Sequence, residues 1–225
     1  MPSRAILLDA LGTLVALEPP AAPLARLVGE RHGVEVTPAD ATRALRAEMA
    51  HYRSNCIRAA GAASLEALRL ECAALLGREL GGPLAALDPA ELVPTLLESI
   101  RFHAYPEVPG ALARLRGEGF ALVVASNWDV SLHDVLERTG LDVLLDGVVT
   151  SAEVGVAKPD ARLFAAALAL AGVGAGEALH VGDSFEEDVE GALAAGLGAV
   201  WLARQAVVGQ RPQRVRVIAS LDELP

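Results

Sequence analysis

Four short polar clusters interrupt an otherwise apolar chain, and each follows an apolar run. Asp9-Ala10-Leu11-Gly12-Thr13 follows Ala5–Leu8, and Ser126-Asn127-Trp128 follows Ala121–Ala125. Ser151-Ala152-Glu153, with Lys158-Pro159 shortly after, follows Gly147–Thr150. Gly182-Asp183-Ser184, with Glu186, Glu187 and Asp188, follows Ala178–Val181. The carboxylates of Asp9, Asp183 and Asp188, brought to one point, repel unless a cation neutralises them, and hard oxygen ligands favour Mg²⁺. A lysine with hydroxyl and amide donors beside them makes a clamp for phosphate. Taken singly, each cluster has a plainer reading: a turn or cap at Asp9, a helix start at Ser126-Asn127, solvated charges at Lys158, Asp183 and Asp188. Lys158 carries a further distinction. The chain has 19 basic residues, and all but this one are arginine.

The elements that must position these clusters are legible as a pattern. Ala5–Leu8, Ala121–Ala125, Gly147–Thr150, Ala178–Val181 and Ala199–Leu202 are short apolar runs that predict strands, with Val215–Ala219 as a sixth at the edge. Helical spacing covers Pro109–Glu118, Val130–Thr139 after an Asp129 cap, Pro159–Ala171 and Glu186–Ala195, each closed by glycine. Strand–helix alternation of this kind predicts an α/β fold: a Rossmann-like parallel sheet covered by helices on both faces. Ligands of such sheets lie at the carboxyl ends of the strands, where all four clusters fall. Residues 20–103 break the alternation. They contain no convincing strand and predict helices over Pro23–Arg31, Ala39–Arg53, Ser64–Leu76 and Pro89–His103, flanked by Pro19-Pro20 and Pro106. The expectation is a discontinuous core, residues 1–17 and 106–225, with an all-helical insert at 18–105. Gly172-Val173-Gly174-Ala175-Gly176 imitates a dinucleotide fingerprint but precedes a strand instead of following one, so it is set aside.

Composition narrows the function classes. Of 225 residues, 52% are hydrophobic and 21% charged, which excludes intrinsic disorder. A net charge of −10 argues against nucleic-acid binding, which needs a basic surface. No apolar run has the length of a membrane span. The start, Met-Pro-Ser-Arg before Ala5–Leu8, imitates a signal peptide but is interrupted by Asp9. Cys56 and Cys72 have neither disulfide-framework nor metal spacing and are read as reduced structural thiols, so the expected compartment is the cytoplasm. The expected partner is a small molecule, and the chain is a monomer or homodimer.

In order and spacing, the clusters resemble the four motifs of the haloacid dehalogenase-like hydrolase superfamily. Asp9-Ala10-Leu11-Gly12-Thr13-Leu14 resembles motif I, Ser126-Asn127 motif II, Lys158-Pro159 motif III, and Gly182-Asp183-Ser184-Phe185-Glu186-Glu187-Asp188 motif IV. The stretches Ser126–Asp129 and Ala157–Phe164 resemble the phosphatase-like branch. The helical insert resembles the family's cap over the active site. The resemblance implies that Asp9 is a nucleophile forming an aspartyl intermediate on a small phosphorylated substrate. It implies that Ser126 and the Asn127 backbone hold phosphate oxygens and that Lys158 offsets the charge of Asp9 and phosphate. A compact ammonium is not interchangeable with a guanidinium fork, which accounts for the single lysine. Mg²⁺ would be held by Asp9, the Leu11 carbonyl and Asp183, with Asp188 as a ligand or orienting group.

Leu11 is a departure. The family's phosphatases carry a second Asp at this position, which protonates the leaving group and activates water, and leucine does neither. Two alternatives stay open. One is a catalytically silent member that binds a phosphorylated ligand or partner. The other is a metal-independent 2-haloacid dehalogenase, a branch that also lacks this acid. The acidic Asp183–Asp188 segment argues against the latter. His51-Tyr52-Arg53 and Asn55 form the densest polar cluster of the insert, readable as substrate contact, a replacement acid or a solvated helix end. Trp128 is a candidate to pack over the site with Leu11, or a plain core residue. His180 reads as a satisfied core histidine.

Overall fold

The apolar run Ala5–Leu8 forms a strand whose four residues are fully buried, and everything else in the larger unit is arranged around it. The structure, a computed structural model, describes residues 3–204 and 215–225. Along the chain, β1 (Ala5–Leu8) is followed by β2 (Val15–Leu17) and four long helices. These are α1 (Ala21–His32), α2 (Pro38–Asn55), α3 (Ala62–Leu80) and α4 (Pro89–Ser99). Then come β3 (Phe102–Ala104), α5 (Val108–Gly117), β4 (Ala121–Ser126), α6 (Leu132–Arg138), β5 (Gly147–Thr150) and α7 (Ser151–Val154). The chain continues with α8 (Ala161–Ala171), β6 (Ala178–Gly182), α9 (Gly191–Ala194), β7 (Gly198–Leu202) and β8 (Arg216–Ile218).

Two compact units result: residues 1–16 with 104–225, and residues 17–103. The first holds a six-stranded sheet in the order β5-β4-β1-β6-β7-β8, parallel throughout. β1 is central because both its faces and both its edges are covered, which a run without polar side chains requires. Leu7, Val123 and Ala125 pack with Leu163, Phe164 and Ala167 of α8 and Ala192 of α9. By strand alternation Ile6, Leu8, Leu122 and Val124 face the other side, where they are equally buried. The second unit is a ring of four helices, each packed on two others. Pro at the first helical position and a side-chain cap from Thr37 and Asp88 start α2 and α4.

Several expectations shift in detail. The run 89–103 divides into α4 and β3, because Ile100 turns to extended backbone. β2 and β3 form a two-stranded sheet of three residues each, too short for an alternation signal. Helix Val130–Thr139 begins later, at Leu132, since Asp129 accepts from the Ser131 amide in the preceding turn. The predicted helix 186–195 is a π-helical turn, Phe185–Glu190, running into α9. α7 was not foreseen; its Thr150–Glu153 capping box starts it directly from the end of β5.

Cys56 and Cys72 are buried thiols, not joined in a disulfide. Glu48, on the inner face of α2, is buried with them in the helical unit, and its Oε2 has no hydrogen-bond partner among the described residues. Burial pushes the Glu48 carboxyl above its ordinary 4.5 against a hydrogen bond from Cys72. A raised folded-state value means that Glu48 lowers stability as pH climbs above 4.5. Glu48→Met, which fills the volume without the orphaned oxygen, should therefore gain about 1–3 kcal/mol at pH 8. In urea unfolding the gain should be full at pH 8 and smaller at pH 4.5, where the folded-state carboxyl takes up its proton.

Candidate functional site

Four loops meet at the carboxyl end of the sheet because β4, β1 and β6 are neighbours in parallel register. Leu8 lies opposite both Val124 and Val181, so Asp9, Ser126 and Asp183 follow within two residues of the same level. At the centre is the Lys158 ammonium. It donates to Asp9 Oδ1 at 2.7 Å and to Asp188 Oδ1 at 2.6 Å, and all three side chains are nearly inaccessible. Ser126 Oγ donates to the same Asp9 oxygen at 2.9 Å. Among the described residues Asp9 Oδ2 accepts no hydrogen bond.

The lysine is fixed at its main chain as well as at its tip. Asn127 Oδ1 accepts from the Lys158 amide at 2.7 Å, while its Nδ2 donates to the Lys158 carbonyl at 3.1 Å and to Glu187 at 3.0 Å. The Asn127 side chain therefore orients Lys158. Asp188 is held on both oxygens. His180 Nε2 donates to Oδ1 at 3.0 Å and the Ser184 amide to Oδ2 at 2.9 Å. Gly182 gives Asp188 the room to lie there, since a Cβ on it would come within 2.2 Å of the Asp188 carboxyl carbon. Gly12, at φ +84°, likewise lies against Asp183, where a Cβ would meet Oδ2 at 2.2 Å. Trp201 Nε1 anchors the Asp183 carbonyl at 2.9 Å.

The electrostatics follow from this packing. Burial alone would discharge Lys158, but Asp9 and Asp188 together outweigh it and hold the ammonium above its ordinary range. Burial opposes the charge on Asp188 too, yet Lys158 and His180 keep its carboxyl well below the usual value. Burial raises Asp9 despite the lysine. Desolvation, then the charges of Asp9 and Asp188, push Asp183 up to about 6. One lysine thus serves two carboxylates and leaves the third repelled. Carboxylate oxygens of Asp9, Asp183 and Asp188 all lie within 4.8 Å of one another. Hard donors and uncompensated negative charge suit a divalent cation. With both Asp188 oxygens engaged, Asp9 and Asp183 are the side chains that could hold it.

The structure thus brings Asp9, Ser126, Asn127, Lys158, Asp183 and Asp188 together. Leu11, half-buried, bridges to Val15 in the loop after Asp9. Trp128 is buried, and its carbonyl accepts from Ser151 Oγ and the Ala152 amide. In the helical unit, His51 and Arg58 share Glu71, and Asn55 bonds back to the His51 carbonyl. The reading of His180 needs correction. It is fully buried, but among the described residues Nδ1 finds no partner, so it is only half satisfied, and its Nε2 bond orients Asp188. Because an ionised Asp188 can only accept, His180 carries its proton on Nε2. Burial, together with the nearby lysine, lowers its basicity against the pull of Asp188. A strand-interior position conceals that role in the sequence.

A family model described as haloacid dehalogenase-like hydrolase matches residues 3–196. The chain is 40% identical over 134 residues to the phosphoserine phosphatase of Thermus thermophilus, a match covering 59% of this chain and 51% of that one. Its matches to this and other curated relatives span 36–63% of their length. A magnesium-bound putative HAD-hydrolase of Bacillus subtilis superposes with TM-score 0.73 at 20% identity, covering 100% of this chain and 97% of that one. A 2-haloacid dehalogenase of Pseudomonas syringae superposes with TM-score 0.69 at 23% identity, covering 100% and 97%. Both establish the fold alone.

Removing the buried cation leaves Asp9 and Asp188 facing each other without compensation. Lys158→Met should cost about 3–5 kcal/mol of stability at pH 7. Both carboxyls would then be raised above their unfolded values, so the deficit should narrow as pH falls through the carboxylate range. A deficit independent of pH in urea melts would contradict this electrostatic account.

Proposed function

The chain belongs to the haloacid dehalogenase-like hydrolase family, and from that premise we propose that it is a Mg²⁺-dependent phosphohydrolase working through an aspartyl intermediate at Asp9. The observation that carries the reading is the Asp9–Lys158–Asp188 arrangement with Asp183 beside it. Asp9 attacks phosphorus, and the bond to the leaving oxygen breaks. Water then cleaves the aspartyl phosphate, restoring the carboxylate. Lys158 offsets the charge of Asp9 and the incoming phosphoryl group, and Ser126 orients the Asp9 oxygen that it already binds. The residues fit Mg²⁺: Asp9, Asp183 and the Leu11 carbonyl would hold it, and Asp188 would orient Lys158. Bound there, the cation supplies neutralisation of phosphate charge. The substrate is a small phosphorylated molecule, in keeping with the phosphoserine and glyceraldehyde 3-phosphate phosphatases among the relatives. The helical unit is assigned substrate selection. Buried thiols outside any disulfide are in keeping with a cytoplasmic location. No helix of the described residues is long and apolar enough to cross a membrane.

The acidic triad weighs against the metal-independent dehalogenase, and the fully built ion network weighs against a silent binder. Leu11 sets the chemistry apart. With no acid at that position, nitrophenyl and acyl phosphates, whose leaving groups need no proton, should react far faster than alkyl phosphates. Leu11→Asp should raise alkyl-phosphate turnover by roughly 100- to 10,000-fold. Steady-state kinetics on an alkyl and a nitrophenyl phosphate, with and without Mg²⁺, decide it. Fast alkyl-phosphate hydrolysis by the wild type, unimproved in the variant, would locate the acid elsewhere.

Asp183→Ala should weaken Mg²⁺ binding in calorimetry while the circular dichroism spectrum is unchanged. Binding that survives this substitution would remove Asp183 from the ligand set.

A further inference from the structure

The loop that carries Asp9 is gripped from outside by a residue that belongs to none of the motifs. Arg204, just beyond the end of β7, donates from Nε to the Gly12 carbonyl at 2.9 Å and from one terminal nitrogen to the Thr13 carbonyl at 2.7 Å. Its other terminal nitrogen pairs with Glu107. The guanidinium carbon lies 3.5 Å from the centre of the Tyr105 ring, and the Tyr105 amide donates to the Leu14 carbonyl at 3.1 Å. Both ends of the Arg204–Glu107 pair are largely sheltered, at 17% and 16% exposure. Every atom of this clamp belongs to the larger unit.

The loop needs such a grip. Gly12 stands at φ +84°, and the amides of Thr13, Leu14 and Val15 all turn back onto the single carbonyl of Ala10. The Gly12 and Thr13 carbonyls both accept from the Arg204 side chain. A planar fork meets two successive carbonyls and an aromatic face at once, which a lysine cannot do. We propose that Arg204 is a positioning residue for the Asp9 loop: it fixes the backbone of Gly12 and Thr13, and through them the placement of Asp9 and the Leu11 carbonyl, without touching substrate. The inference rests on the reading of Asp9 as nucleophile.

The test pairs an activity with a measurement that does not depend on it. In Mg²⁺-loaded protein, Arg204→Lys should lower kcat for nitrophenyl phosphate by roughly 10- to 100-fold, the loss expected for a misplaced reacting group. KM should stay within about twofold, because no substrate contact is removed. Arg204→Ala should recover part of its kcat when guanidinium chloride is added at non-denaturing concentration. Amide hydrogen exchange of residues 12–15 should accelerate in both variants, with exchange in β4 and β6 unchanged. Unchanged exchange at residues 12–15 overturns the proposal, as does faster exchange with undiminished kcat. A global loss of protection would assign Arg204 to stability alone and equally overturn it. If the wild type turns over no phosphate ester, the reading of Asp9 fails, whereas the exchange arm still decides whether Arg204 holds the loop.

Discussion

A single buried ammonium sets the terms for this molecule. Lys158 lies between two carboxylates in a place from which water is excluded, and neither sign of charge could remain there alone. Its partners come from a loop after β1 and a π-helical turn after β6, so the ion pairs hold only if both strands keep their register. The surrounding polar contacts serve that geometry. Asn127 fixes the lysine main chain, His180 and Ser184 fix Asp188, and Ser126 fixes Asp9. Gly182 and Gly12 supply the space into which two carboxylates fit. The local helix shape also fits this demand: a π turn places Asp188 and its neighbours at the strand end with Ser184 as cap.

The fold does not by itself choose the reaction. Chains described as a magnesium-bound putative HAD-hydrolase and as a 2-haloacid dehalogenase share it at TM-scores near 0.7. The choice lies in a few side chains at the strand ends. In the proposed reading Asp183 serves a cation, and Leu11 leaves its position without a group to manage a proton. The two residues pull the chemistry in different directions. That tension separates this chain from a plain phosphomonoesterase on residues alone.

The central strands were legible because a strand buried on both faces is a short, uninterrupted apolar word, and Ala5–Leu8 and Gly147–Thr150 are such words. The motif residues were legible because they are polar islands just after those words. What escaped did so for physical reasons. β2 and β3 are three residues each, below the length at which alternation shows. His180 sits inside a strand, where a buried polar residue and an orienting one are spelled alike. Arg204 is one of 18 arginines, and its role depends on a sheet edge joining residues 12, 107 and 204, which no local pattern encodes. The single lysine, by contrast, advertised itself through scarcity.

The strand order has a consequence for synthesis. β1 is made first, yet its two neighbours begin at Ala121 and Ala178. The second of these emerges 173 residues later, by subtraction of Ala5 from Ala178, which at ordinary translation rates is roughly 9–35 seconds. The Ala-Ile-Leu-Leu strand has two open edges until β4 is made and one until β6 is made, while the contacts within residues 17–103 are local and quick to form. The element on which the site is built is therefore the inner strand of the sheet that waits longest during synthesis for both its edges to be covered.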